Sequence, residues 1–257
     1  MVHTRSLAVA ASAFLLGDPR LAAGGSTELQ SVLKNTHGSN DYGYPTDFTR
    51  GIMPIPVHSH NDYWRDIPFY TGLSKGCIST EADVWLYNDT LYVGHDESSL
   101  TKDRTLESLY INPILDVLKL QNPSSPFVTS PTNNGVFDTS TSQTLYFFID
   151  LKTSGPETLK AALAEPEYAD ITGLISPIAS TNFASAVGPV KGEKLSDEQI
   201  EALRQQIQTA EERGIGARYW GTPYYPVRTR NFVWRTLLEE GVALLNADDL
   251  DAVVEYF

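Results

Sequence analysis

The stretch Leu145–Lys152, LYFFIDLK, is the most informative segment for the fold. Its apolar residues follow one another without alternation, and its charged residues, Asp150 and Lys152, fall only at the C-terminal end. A strand that is covered on both faces has this composition, which is typical of a parallel sheet surrounded by helices. The stretch therefore predicts a buried parallel strand whose C-terminal end carries the chemistry.

Strand and helix patterns alternate on both sides of this segment. Upstream, the pattern predicts a strand within 52–60, a strand over 77–85 and a hairpin over 86–93. It also predicts helices over 69–75 and 106–120. A mobile loop is expected over residues 122–142. Downstream, the pattern predicts helices over 156–164, 197–213 and 229–240, and strands over 175–179, 217–220 and 242–246. This alternation favours an α/β domain built on a parallel sheet.

Composition excludes some classes of function. The 257 residues carry a formal net charge of −13, so a broad nucleic-acid-binding surface, which needs clustered Lys and Arg, is not expected. An anionic substrate stays compatible, because a bound Mg²⁺ or Ca²⁺ reverses the sign of the field inside a pocket. Cys77 is the only cysteine, so no intrachain disulfide forms, and we expect it to be a buried apolar residue.

The N-terminal segment is expected to lie outside the folded domain. Residues 7–16 form an apolar run that fits the core of a signal peptide and is too short to cross a membrane. We interpret residues 1–23 as a leader for the secretory route, with a mitochondrial leader as the alternative, 24–50 as a linker and 51–257 as the domain. The oligomeric state is left open.

Pairs of polar residues mark the ends of expected strands, where the site of a parallel α/β protein lies. Glu81 and Asp83 are two apart and point to one face, and two adjacent carboxylates stay ionised together when a cation lies between them. Oxygen ligands suit Mg²⁺ or Ca²⁺, while the alternative is an exposed edge strand with alternating acids. Asp150 is a candidate third ligand and Lys152 a candidate phosphate contact, unless the two form a structural ion pair.

Three histidines fall near these acids. His58 and His60 share one face of the first strand, and His95 follows the hairpin. Cleavage of a phosphodiester needs a base for the attacking oxygen and an acid for the leaving oxygen, and imidazole suits both tasks at neutral pH. The histidines are therefore candidate catalytic residues, and the choice between His58 and His60 stays open.

Aromatic and basic residues accompany both ends of the domain. Asn61 and Arg65 flank Tyr63–Trp64 after the first strand, and Trp220 lies in the similarly aromatic run 218–225. Such side chains hold phosphate or pack against a lipid or alcohol head group. The alternative is a packing cluster at the mouth of a barrel.

Three motifs in combination resemble one known family. They are Val57–Arg65 (VHSHNDYWR), Glu81–Val84 (EADV) and Leu91–Asp96 (LYVGHD), and the runs 218–223 and 245–250 are similar to its closing part. The family is the fungal altered inheritance of mitochondria group of phospholipase-C-like phosphodiesterases, which is related to glycerophosphodiester phosphodiesterases and to sphingomyelinase D. The resemblance implies a (β/α)₈ TIM-barrel-like fold and hydrolysis of a phosphodiester in a glycerophosphodiester or phospholipid-like substrate.

The resemblance also implies roles for individual residues. The ligands of Mg²⁺ or Ca²⁺ would be Glu81, Asp83 and Asp150. The acid–base pair would be His60 and His95, and the substrate contacts would be Lys152 and Trp220. His58 is the competing assignment for His60.

The chain departs from this family pattern after Lys152. Only one helix precedes the strand expected at 175–179, whereas a complete barrel of ~250 residues needs further strand–helix units of about 30 residues each. We therefore expect about two βα units to be missing. An inactive or binding-only barrel remnant is one alternative. A zinc amidohydrolase, suggested by the spacing of His58 and His60, is another, although only His95 follows as a further histidine ligand.

Overall fold

A computed structural model of the protein describes residues 47–164 and 177–257. The predicted leader, residues 1–23, and residues 24–46 of the predicted linker lie outside the described residues. Thr49 is fully buried, and its hydroxyl donates a hydrogen bond of 2.9 Å to the carbonyl oxygen of Val136. Residues just before position 51 thus contact the domain.

Seven strands form one sheet. They are β1 Ile55–Ser59, β2 Cys77–Tyr87, β3 Thr90–Val93, β4 Tyr146–Leu151, β5 Ile178–Asn182, β6 Gly216–Trp220 and β7 Leu244–Ala247. The parallel strands run in the order β4-β2-β1-β7-β6-β5, and β3 pairs antiparallel with β2. The first strand lies beside the last, so the sheet curls into a half-barrel. Within the described ranges, β4 pairs only with β2 and β5 only with β6, which leaves the sheet open between them.

Helices follow most of the parallel strands. They are α1 Tyr70–Ser74, α2 Asn112–Gln121, α3 Gly155–Ala164, α4 Phe183–Ala186, α5 Asp197–Glu211, α6 Val227–Glu239 and α7 Leu250–Val254. The helix expected over 106–120 is a π-helical turn, Glu107–Ile111, followed by α2. Pro113 lies in the first turn of α2, directly after the π-helical turn.

Local sequence signals explain several element ends. Asn88 and Asp89, with φ of 48° and 60°, form the tight turn between β2 and β3, as the hairpin prediction requires. Gly76 ends the first helix at φ 83°, where a Cβ would lie 2.1 Å from the carbonyl oxygen of Met53. Ser196 and Gln199 form a reciprocal capping box at the start of α5, also as predicted.

The apolar core lies on both sides of the central strands. One cluster joins β1, β6 and β7 to α5, α6 and α7, and the other joins β2, β3 and β4 to the π-helical turn and α2. Cys77 is 2% exposed, and burial raises the pKa of its thiol to about 12. It is therefore an unreactive core residue, which confirms that prediction.

One sequence prediction differs from the structure. The side chains of β4 are only partly buried, and Asp150 is exposed, because β4 is an edge strand rather than an interior strand. The strand expected at 175–179 corresponds to β5, Ile178–Asn182, and residues 175 and 176 of that prediction lie outside the described residues. The segment 122–142 contains no helix or strand, as the loop prediction states, and its residues Val136 and Phe137 are buried in the core. No described helix is both long and apolar enough to span a bilayer.

Candidate active site

The predicted polar residues are brought to one end of the sheet by the register of its strands. His58 of β1 lies beside Ser79 of β2 on one side and Asn246 of β7 on the other. Asp83 of β2 lies beside Asp150 of β4. Because parallel strands end at the same edge, the loops that follow them meet around these side chains.

His60 has a carboxylate on one ring nitrogen. Its Nδ1 lies 2.7 Å from Oδ1 of Asp248, in the loop after β7, and its Nε2 lies 3.9 Å from Oε2 of Glu81. The side chain is 24% exposed, so it faces both the carboxylates and solvent. Burial raises the pKa of Asp248, but the hydrogen bonds from His60 and Asn61 outweigh it and leave that pKa below its usual value.

Asn61 connects the two carboxylates that His60 faces. Its backbone has φ 50°, and its N–H donates to Oε2 of Glu81 at 3.0 Å. Its side-chain amide donates to Oδ1 of Asp248, also at 3.0 Å. The left-handed conformation, which asparagine tolerates well, thus directs two donors at the site.

His95 belongs to a second group, around Tyr63. Nδ1 of His95 lies 3.0 Å from the Tyr63 hydroxyl and 3.4 Å from Oδ2 of Asp83. The Tyr63 hydroxyl donates to the same Asp83 oxygen at 2.7 Å, and burial together with Asp83 raises the pKa of Tyr63, which keeps the phenol protonated. The His95 ring is half exposed and lies 5.0 Å from the Trp64 ring.

His58 has a different environment from His60. It is completely buried, and its Nδ1 lies 2.7 Å from the Ser79 hydroxyl. Its Nε2 has no hydrogen-bond partner and lies 3.8 Å from Oε2 of Glu81. Burial, and then the charge of Arg218, lower the pKa of His58 to about 4, so the ring is neutral at pH 7.

Arg218 crosses the interior of the half-barrel. It is 4% exposed, its Nε and Nη2 donate to Oδ1 of Asn246 at 3.1 and 2.5 Å, and its Nη1 donates to Ser180 at 3.1 Å. Its Nη2 lies 3.9 Å from Oε1 of Glu81. Burial raises the pKa of Glu81, but the nearby His60 and the hydrogen bond from the Asn61 N–H lower it, so this carboxylate is ionised.

The three predicted metal ligands do not form one cluster. Asp83 and Asp150 both contact Nζ of Lys152, at 3.0 and 2.6 Å, while Glu81 faces the histidines. No three His, Cys, Asp or Glu side chains in residues 47–164 and 177–257 are close enough together to hold a metal ion. Their oxygen donors suit Mg²⁺ or Ca²⁺ chemically, but the arrangement does not fit a metal centre while the Lys152 ammonium lies between two of them.

The remaining predicted substrate contacts separate into two groups. Arg65 faces the backbone, since its Nη1 donates to the carbonyl oxygen of Asp248 at 2.6 Å and its Nη2 to that of His60 at 3.0 Å. It therefore ties the loop after β1 to the loop after β7. Trp220, at the end of β6, is 44% exposed, and Tyr224 and Tyr225 beyond it are more exposed still.

Two site residues were not predicted in these roles. Asp248 follows β7 directly, so the rule that the ends of parallel strands carry the site applies to it as well. The Tyr63 hydroxyl had no sequence signal of its own beyond its closeness to His60. A cavity of about 280 Å³ opens beside Asp248, with Arg65 and Lys75 in its lining.

Comparisons with known proteins agree on one group of relatives. An AIM6-like phosphodiesterase domain matches residues 46–168. The altered inheritance of mitochondria protein 6 homolog of Arthroderma benhamiae is 49% identical over 313 aligned positions, covering 98% of the chain and 100% of the relative. Altered inheritance of mitochondria protein 6 of Zygosaccharomyces rouxii is 29% identical over 293 positions, covering 81% of the chain and 71% of the relative. Altered inheritance of mitochondria protein 6 of Saccharomyces cerevisiae is 41% identical over 121 positions, covering 46% of the chain and 30% of the relative. No solved structure matches the chain.

Proposed function

Because the chain belongs to the altered inheritance of mitochondria protein 6 family, we propose that it hydrolyses phosphodiester bonds with His60 and His95 as its acid–base pair. One observation carries the proposal: both histidines reach solvent, and each has a carboxylate on its Nδ1 side, Asp248 for His60 and Asp83 for His95. A carboxylate in this position orients the imidazole and directs Nε2 towards the substrate. The phosphodiesterase domain match includes both histidines, which supports the same reaction.

The reaction divides between the two imidazoles. One takes the proton of the attacking oxygen, from water or from a hydroxyl of the substrate itself, as that oxygen bonds to phosphorus. The other gives its proton to the leaving oxygen as the second P–O bond breaks. His58 is not assigned to either step, because it is buried and neutral behind Glu81 and has no access to a substrate.

Metal dependence is part of the proposal. Glu81, Asp83 and Asp150 are the residues that would hold Mg²⁺ or Ca²⁺, since their oxygens are the donors these ions prefer. A bound ion would neutralise charge on the phosphoryl oxygens. Because the Lys152 ammonium contacts both Asp83 and Asp150, it would have to leave these carboxylates before an ion could bind them.

The proposed substrate is a glycerophosphodiester or a phospholipid-like molecule. Exposed aromatic side chains lie at the end of β6 and on the loops after β1 and β6, at the same end of the sheet as the histidines, namely Trp64, Trp220, Tyr224 and Tyr225. Aromatic rings with a polar edge suit the boundary between a polar head group and an apolar chain. The Asn61 side chain, 3.0 Å from Nδ1 of His60, and the Lys152 ammonium are the proposed contacts of the phosphate.

The proposed fold is a (β/α)₈ barrel that lacks about two βα units between β4 and β5. The strand order and the open position in the half-barrel support this proposal. The alignment with the Arthroderma benhamiae relative spans 313 positions, so at least 56 residues of that relative (313 less 257) have no counterpart in this chain. Two units of about 30 residues each have a similar length.

The location of the protein is proposed on separate grounds. The relatives are named for altered inheritance of mitochondria, which is compatible with a mitochondrial location. The secretory route stays a prediction from the apolar run at residues 7–16.

Hydrolysis of bis(p-nitrophenyl) phosphate by the full chain tests the proposed reaction. We expect hydrolysis by the wild type, and a loss of at least about 10²-fold in His60→Ala and in His95→Ala, because each removes one proton-transfer group. Both variants should keep the wild-type circular dichroism spectrum, and Ser142→Ala, in the exposed loop before β4, should keep full activity. Folded wild type without hydrolysis at any Mg²⁺ or Ca²⁺ concentration would favour the binding-only alternative.

A further inference from the structure

The Tyr63 hydroxyl is the meeting point of three site residues. Its oxygen lies 3.0 Å from Nδ1 of His95, 2.7 Å from Oδ2 of Asp83 and 2.6 Å from Oδ1 of Asn61. Tyr63 is only 2% exposed, so water does not compete for these contacts. The proposed reaction gives this buried phenol no task, although it contacts one of the two imidazoles that transfer protons.

Tyr63 has a fixed position. It lies in the 3₁₀ turn Asp62–Trp64, which is anchored because the buried Asp62 carboxylate accepts the N–H of Phe69 at 2.5 Å. The carbonyl oxygen of Tyr63 accepts from Nη2 of Arg104, also at 2.5 Å. Its ring packs in the apolar core, so the hydroxyl is presented to the site by a rigid support.

The orientation of His95 depends on this hydroxyl. The His95 ring is half exposed and packs against the rings of Tyr63 and Trp64, which does not decide which nitrogen faces the substrate. Oδ2 of Asp83 is 3.4 Å from Nδ1, outside the usual N–H···O range of about 2.7–3.2 Å. The Tyr63 hydroxyl, at 3.0 Å, is within that range and therefore forms the directional contact.

The protons available to the phenol decide the direction of this hydrogen bond. A phenol has one proton to donate, and its oxygen can also accept. Asp83 and Asn61 both present acceptor oxygens, so the Tyr63 proton goes to one of them and the phenol oxygen accepts from Nδ1–H of His95. Nε2 of His95 is then the nitrogen left to exchange a proton with the substrate.

The same hydroxyl connects His95 to the other imidazole. Asn61, whose Oδ1 it contacts, donates to Oδ1 of Asp248 at 3.0 Å, and that oxygen lies 2.7 Å from Nδ1 of His60. A chain of hydrogen bonds therefore joins Nδ1 of one histidine to Nδ1 of the other.

We propose that Tyr63 is the positioning residue of His95: its hydroxyl holds the imidazole by Nδ1 and links it, through Asn61, to the group around His60. The catalytic consequence rests on the proposed function, in which His95 transfers a proton. Asp83 acts on His95 through this hydroxyl rather than directly.

Kinetics of bis(p-nitrophenyl) phosphate hydrolysis by the full chain test the catalytic consequence. Tyr63→Phe removes only the hydroxyl and should lower kcat by about tenfold to hundredfold, with KM within about twofold of the wild type, because a misplaced imidazole affects the transition state rather than substrate binding. Tyr219→Phe is the matched control, since that ring is equally buried and its hydroxyl contacts Gln206 of α5 at 3.0 Å. It should keep the wild-type kcat, and an equal kcat in Tyr63→Phe overturns the inference.

A double-mutant cycle separates positioning from a structural role. Adding Tyr63→Phe to His95→Ala should cause no further loss, because the hydroxyl then has no imidazole to hold. A loss by the same factor in both backgrounds overturns the inference, since Tyr63 would then act through another group.

Nuclear magnetic resonance tests the contact without any need for activity. The order parameter of the ¹³C-labelled Cε1–H of His95, assigned by its absence in His95→Gln, should fall in Tyr63→Phe and stay unchanged in Tyr219→Phe. An unchanged order parameter in Tyr63→Phe overturns the inference. The expected fall, in a protein whose wild type hydrolyses no phosphodiester, supports the positioning of His95 and overturns the proposed function alone.

One measurement on the wild type covers the case in which Tyr63→Phe loses the wild-type circular dichroism spectrum. Nitrogen chemical shifts of the neutral His95 ring should place its proton on Nδ1, as donation to the phenol oxygen requires. A proton on Nε2 overturns the inference.

Discussion

His58 and His60 are two residues apart in the sequence, yet the structure places them in different environments. His58 is enclosed by the sheet, with the Phe148 ring 4.8 Å from its own. His60 lies one residue beyond the end of β1, where it reaches solvent and Asp248. Period-two geometry places both on one face, but only the position of the strand end separates a buried histidine from an accessible one.

The Asp248 carboxylate should matter to catalysis through His60. Asp248→Asn keeps the size of the side chain and removes the charge that orients and stabilises the imidazole, so we expect hydrolysis to fall by about tenfold to hundredfold. Asp251→Asn is the matched control, since Asp251 contacts Lys75 rather than a histidine. Equal rates of bis(p-nitrophenyl) phosphate hydrolysis in the two variants would show that Asp248 has no orienting role.

Burial of His58 should make stability depend on pH. Its pKa is lowered from 6.5 to about 4. Between these two pH values the His58 ring is protonated in the unfolded chain and stays neutral in the folded protein. The contribution of His58 to the free energy of unfolding is therefore fully present above pH 6.5. As the pH falls towards 4, the free energy of unfolding decreases by on the order of 3 kcal/mol.

Denaturant unfolding between pH 7 and pH 4 measures this contribution. In His58→Gln the free energy of unfolding should fall less steeply over that range than in the wild type, because the titrating group is gone. His95→Gln removes a half-exposed histidine and should keep the wild-type slope. An unchanged slope in His58→Gln would mean that other groups cause the acid sensitivity.

At the scale of elements, the strands differ in how many neighbours they have. β1 lies between β2 and β7, and its side chains are almost all buried. β4 and β5 each have one paired neighbour within the part of the chain that the structure describes, and both carry exposed side chains. Unpaired edges and shallow burial make these two strands the weakest part of the sheet.

Amide hydrogen exchange should show this difference directly. Peptides from β4 and β5 should exchange at least about tenfold faster than peptides from β1 and β7, because local opening costs less where fewer contacts are broken. Mass spectrometry of peptic peptides gives the comparison within one sample, with the peptides of β1 and β7 as the internal reference. Equal protection in all four strands would indicate that another part of the chain covers the open position.

At the scale of the whole molecule, the sheet is open between β4 and β5, and the residues around His60 and His95 lie away from that gap. The residues around His60 and His95 come from β1, the β2–β3 hairpin and the loop after β7, and none of them comes from the open position. Lys152 and Asp150 lie on β4, which borders it. The proposed acid–base pair, His60 and His95, is therefore supported by paired strands, whereas the proposed metal position lies at the edge of the sheet.

The strands, helices and candidate acids follow from the sequence alone because they depend on local patterns. An unbroken apolar run identifies β4, the Asn88-Asp89 turn identifies the hairpin, and Ser196 identifies the start of α5. Glu81 and Asp83 are recognised because side chains on a strand alternate with period two. These signals need no knowledge of what lies across the sheet.

Tertiary structure decided what depends on neighbours distant in sequence. It made β4 an edge strand, separated buried His58 from accessible His60, brought Asp248 to His60 across 188 residues and placed the Lys152 ammonium between two predicted metal ligands. The physical reason is that burial, pKa and ion pairing are set by which strands lie side by side and which end is open to water. Sequence therefore determined the chemical groups of this protein, and only the curled sheet determined which of them meet.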